Sequence, residues 1–97
     1  MNKGKWFGLY QSAIVELQQS LAAGTLIQSR FEIARNIYAL RELPGLAEDE
    51  AEALNGAVAA LRGMEREDEQ ETVVTVTLQN LRCLAPRMER LKPDTSE

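Results

Sequence analysis

Apolar residues in the first part of the chain recur at alternating spacings of three and four. Phe7, Tyr10, Ile14, Leu17 and Leu21 thereby share one side of a helix. The pattern predicts that this helix stops at Gly24, because glycine tolerates the left-handed conformation that closes a helix C-terminus. A second helix follows at once, opened by a capping box at Thr25 with Gln28 or at Ser29 with Glu32. It carries two adjacent apolar lines: Ile27, Phe31, Ala34 and Tyr38, and beside them Ile33, Ile37 and Leu40. Together they predict a wide buried face. Pro44-Gly45 ends this helix, since proline removes a donor and glycine removes the bias toward regular structure.

A third helix turns Ala51, Leu54, Val58 and Leu61 inward and stops at Gly63. Its thin flank of Gly56, Ala57 and Ala60 suits close approach by a neighbouring helix. Asn55-Gly56 is also a hairpin-closing pair, but no alternating strands flank it. Residues 65–71 hold five acids and no buried face, so they read as a solvated connection or the exposed first turns of the next helix. Residues 72–78 alternate as a strand would, yet the same segment continues in helical register through Val74, Leu78, Leu81, Ala85 and Met88. It is read as a fourth helix, the alternative being a strand that pairs across a dimer. Pro86 cannot donate to residue 82, so it is expected to kink or break this helix or to begin a separate last turn. The expectation is one all-α domain over residues 1–97, a compact bundle of about four helices, with residues 1–5 and 93–97 as loose tails.

Composition narrows the chemistry. The 97 residues include 11 basic and 15 acidic side chains, for a net charge of -4, which opposes nucleic acid and anionic membranes on average. There is no histidine and a single cysteine, which removes the commonest general base, the commonest metal ligand and any intrachain disulfide. Cys83 falls late in a helix, whose negative end raises a thiol pKa, so an inert thiol is expected. The glycines occur singly, without a dinucleotide or phosphate-loop spacing. No cofactor, metal or catalytic residue is therefore expected. Glu16, Glu32 and Glu42 are the carboxylates to watch, because they fall near the core boundary of the first two helices. The first residues lack a convincing signal-peptide pattern and no window is apolar enough to span a membrane, so a cytoplasmic protein is expected.

These exclusions leave recognition by surface contact as the primary expectation: a non-catalytic interaction or regulatory protein acting through apolar helix faces with acidic rims. The candidate interface is Trp6 together with Val73, Val76, Cys83 and Leu84, which give the fourth helix a second apolar side and predict a homodimer. The candidate acidic surface is Glu48, Asp49, Glu50 and Glu52 with Glu65, Glu67, Asp68, Glu69 and Glu71, which would meet a partner through a basic surface. The same acids also suit the first turn of a helix, where the macrodipole favours them. The basic end of the fourth helix, Arg82, Arg87, Arg90 and Lys92, is likewise the expected dipole complement. Two alternatives remain. One is a binder of a small apolar ligand in a bundle or dimer cleft lined by Phe31, Tyr38, Met64 or Met88. The other is a helix-turn-helix in which Gln28, Ser29, Arg30 and Arg35 contact nucleic acid.

Overall fold

The computed structural model describes residues 3–91. The described residues form five helices and two short 3-10 turns, with no strand. They are α1 (Lys3–Ala23), α2 (Leu26–Ala39), a 3-10 turn at Leu40–Glu42, α3 (Glu48–Gly63), a second at Glu67–Glu69, α4 (Gln70–Arg82) and α5 (Ala85–Leu91). The expected fourth helix is thus two elements, and residues 72–78 lie wholly within α4. Residues 3–5, expected as part of a loose tail, form the first turn of α1. The expectation for residues 93–97 lies outside the described residues.

Gly24 ends α1 as its position predicts. Its φ is +73°, its N–H donates to the Leu21 carbonyl at 3.2 Å, and the Thr25 N–H reaches the Ser20 carbonyl at 2.9 Å. Those two bonds are the Schellman pair, which satisfies carbonyls that the helix end would leave open. Thr25 is the N-cap of α2, but its side chain makes no capping bond, so the expected box is not formed there. α2 itself stops before Pro44 and tightens into the 3-10 turn, which spaces Leu40 and Leu43 so that both are buried. At the start of α3 the Glu50 carboxylate accepts the Ala47 N–H at 2.9 Å, half of a capping box, since Ala47 has no side-chain oxygen to return the bond.

The helices close a ring. α2 packs on α1 and α3, α3 packs on α4, and α4 and α5 return to α1. Gly56 marks the close approach of α3 and α4: a Cβ there would sit 3.1 Å from Asn80 Nδ2. The core is aliphatic, with Leu17, Ile33, Leu54, Leu61 and Leu81 at 1% exposure or less. The molecule measures 42 × 31 × 18 Å. Its short dimension is about two helix diameters, so each helix has a side on which no second layer lies.

Candidate functional site

α2 places its two apolar lines in different surroundings. Ile33, Ile37 and Leu40 are buried between α1 and α3, and Ala34 joins them. Ile27 is half-buried, whereas Phe31 is 55% exposed and Tyr38 is 51% exposed. The wide buried face expected of this helix is therefore only half covered. The cause is geometric: the two neighbours of α2 fill the arc of the inner line, and an 18 Å slab supplies no layer for the outer one. Phe31 and Tyr38 are seven residues apart, about two turns, and so share a side of the helix.

Each ring is bordered by a guanidinium. Arg30 lies over Phe31, 4.4 Å from the ring centroid, while its Nη1 donates to the Ile27 carbonyl at 2.6 Å. Arg41 lies 5.2 Å from the centroid of Tyr38, and its Nη1 donates to the Tyr38 hydroxyl at 3.1 Å. Arg35, exposed, follows Phe31 by four residues and precedes Tyr38 by three, which puts it beside both rings. The described ion pairs are Arg66 with Asp68 and Glu50 with Arg87, so none of these three arginines has a carboxylate partner among the described residues. The available sequence signal was the placement of Arg30, Arg35 and Arg41 beside the Phe31–Tyr38 line, which is costly for a line meant to be buried.

The interface expected on the fourth helix is mostly internal. Leu84 is 0% exposed and Val73 is a core residue, because the buried stripe of α4 runs through Val73, Val74, Thr77 and Leu81 and continues to Leu84. The line through Leu78 and Ala85 is only half-buried. Val76 at 38% exposure and Cys83 do reach the surface, but without Val73 and Leu84 they are not a second apolar side. Trp6 is half-buried against the core with the Lys5 ammonium 5.1 Å from its ring centroid.

The acidic surface is also rearranged. Glu50 is only 8% exposed. Its Oε1 accepts from Arg87 Nη2 at 2.8 Å and Nε at 2.9 Å as well as from Ala47, and Arg87 Nη2 also donates to the Gly45 carbonyl at 2.9 Å. The Arg87 hydrogen bond, with help from the Ala47 N–H, holds the Glu50 carboxyl below its ordinary range against the opposing effect of burial. Glu69 accepts the N–H groups of Glu65 at 3.0 Å and Arg66 at 3.2 Å, which pull its carboxyl down as well. Asp68 forms a two-bond pair with Arg66, at 2.6 and 3.1 Å, and Asp49 accepts the Glu50 N–H at 2.9 Å. Glu48, Glu52, Glu65, Glu67 and Glu71 are exposed.

Of the residues expected to line an apolar cleft, Met64 and Met88 are packed in the core while Phe31 and Tyr38 face outward, so the four do not converge. Two open depressions flank Asp68, one of about 340 Å³ against Met64, Arg66 and Thr72, the other of about 260 Å³ against Leu21, Gly24 and Glu71. Their walls mix single apolar groups with charges. Of the helix-turn-helix residues, Gln28 and Arg35 are exposed, whereas Ser29 and Arg30 are half-buried. Glu16 is half-buried and accepts from Asn36 Nδ2 at 3.3 Å, while Glu32 and Glu42 are exposed. Among the described residues no three potential ligands gather in a metal-binding group, and no helix is long and apolar enough to cross a membrane. The chain matches no protein-family model, no curated protein and no solved structure.

Proposed function

We propose that this protein is a non-catalytic interaction module that docks another protein along the outer stripe of α2. The observation that carries this reading is the exposure of Phe31 and Tyr38 on one helix side, bordered by Arg30, Arg35 and Arg41. Aromatic and arginine side chains dominate the binding energy of protein interfaces, because they bury large areas at low entropic cost and offer directional donors. An aromatic ring in water forfeits that gain until a partner covers it. A contact between a basic partner and residues 65–71 has less support, since Asp68 and Glu69 are already engaged by Arg66 and by backbone N–H groups. The reading places the protein in the cytoplasm, where an exposed lone thiol such as Cys83 stays reduced.

A photo-crosslinking side chain at position 38, compared with one at the exposed Thr75 on α4, tests this directly in the cells that express the protein. A covalent protein adduct from position 38 and not from position 75 is expected. Equal adducts from both positions, or none from position 38, overturn the reading.

A further inference from the structure

We infer that the occupant of the α2 stripe is an amphipathic helix of a different protein, one that carries carboxylates beside its apolar positions; the inference rests on reading the stripe as a docking surface. Ile27, Phe31 and Tyr38 lie four and seven residues apart along one helix ridge, the form that fits the groove of a second helix. The two rings stand about 10 Å apart along the axis, so a partner helix of about three turns covers them both.

Charge decides between occupants. Arg30, Arg35 and Arg41 border the rings, and none has a carboxylate partner among the described residues. Two exposed acids lie at the margins of the stripe, Glu32 about 100° around the helix from Phe31 and Glu42 in the 3-10 turn, so the three arginines are in excess there. A symmetric pair of copies would set the stripe against itself, bringing three arginines from each side against only two marginal acids, Glu32 and Glu42, so like charge stays in excess. A copy that instead offered its acidic residues 65–71 to the stripe would make a head-to-tail contact, and two of those acids, Asp68 and Glu69, are already engaged by Arg66 and by backbone N–H groups. Phosphates would also answer the arginines, but the chain carries a net charge of -4, and the exposed Phe31 and Tyr38 rings among the cations suit apolar side chains better than a phosphate backbone. A foreign helix with aliphatic residues against the rings and Asp or Glu against the exposed guanidiniums of Arg35 and Arg41 answers both features of the stripe.

The test is selection from a displayed library of helical peptides against the intact protein. Fluorescence anisotropy of the selected peptide and of oligo(dT), together with sedimentation equilibrium of the protein alone, completes it. Selected sequences are expected to carry Asp or Glu beside apolar residues at helical spacing. Replacing those acids by Lys, or introducing Arg35→Glu or Phe31→Ser into the protein, should weaken binding at least about tenfold, while circular-dichroism melting shows each variant still folded. Selection of basic or charge-indifferent peptides, no enrichment, tighter binding of oligo(dT), or a dimer that Phe31→Ser dissociates would each overturn the inference. If the adduct from position 38 persists in any of those cases, the stripe is a docking surface and only the occupant is wrong; if the adduct is also missing, both readings fail.

Discussion

The Tyr10 hydroxyl donates to the Leu81 carbonyl at 3.1 Å, a buried bond between α1 and the last turn of α4 across 71 residues of chain. The same carbonyl accepts the Leu84 N–H at 3.0 Å, so a helix end and a tertiary contact are fastened at one atom.

Tyr10→Phe keeps the ring and deletes this bond, and is expected to cost about 1 kcal/mol in a urea melt. Burial also raises the Tyr10 pKa above its ordinary 10.0. The fold therefore favours the protonated phenol, and the stability this contributes is present below pH 10.0 and is lost as pH rises through the raised value. Tyr10→Phe should be less sensitive to alkali; equal sensitivity would show that the phenol is not buried in solution.

Glu50 and Arg87 give an acid-side counterpart. The folded-state pKa of Glu50 is lowered, so its contribution is full above its ordinary value of 4.5 and falls away as pH drops through the depressed value. At neutral pH Glu50→Gln should cost about 2 kcal/mol, because Arg87 and the Ala47 N–H lose a charged acceptor. The gap between variant and wild type should close on acidification. A gap constant from pH 7 down to strong acid would contradict the pairing.

Thr77 is fully buried, and its Oγ1 has no hydrogen-bond partner among the described residues. Thr77→Val preserves the branched shape and removes an uncompensated hydroxyl, so a gain of about 1 kcal/mol in chemical denaturation is expected. A loss would mean that the hydroxyl is paired.

At the α3–α4 contact, Gly56→Ala exchanges helix entropy for crowding. The atom in the way is the amide end of Asn80, a half-buried side chain able to rotate aside. Alanine should therefore stabilise by up to about 1 kcal/mol through helix propensity. Gly56→Leu should destabilise, since the extra carbons have no space against α4; scanning calorimetry separates the two.

The surface and core assignments on α2 and after α4 predict opposite costs. Leu84→Ala should lose about 3 kcal/mol by opening a cavity in the core, and Phe31→Ser less than about 1 kcal/mol. Similar losses for both would show that Phe31 is covered in the free protein.

Most of the helical order is readable from periodicity, and α1 ends at Gly24 and α3 at Gly63 as their glycines suggest. Periodicity measures how wide an apolar arc is, but it does not say which half of that arc a neighbour covers. Hence Phe31 and Tyr38 read as core, although α1 and α3 fill only the arc beside them. The opposite error arose in α4, where Val73, Val74 and Val76 are consecutive enough to fit several stripes; packing selects the one that continues to Leu84. Glu50 is indistinguishable from its acidic neighbours in sequence, because what sets it apart is Arg87, 37 residues further on.

The ring of helices has a consequence for synthesis. Leu81 follows Tyr10 by 71 residues, so at about 5–20 residues per second the carbonyl that receives the Tyr10 proton emerges about 4–14 s after the hydroxyl. During that interval the side of α1 that later meets α4 and α5 is without its native cover on the ribosome. Until α4 and α5 are made, that apolar side of α1 stands open to water, an exposure the finished ring no longer has.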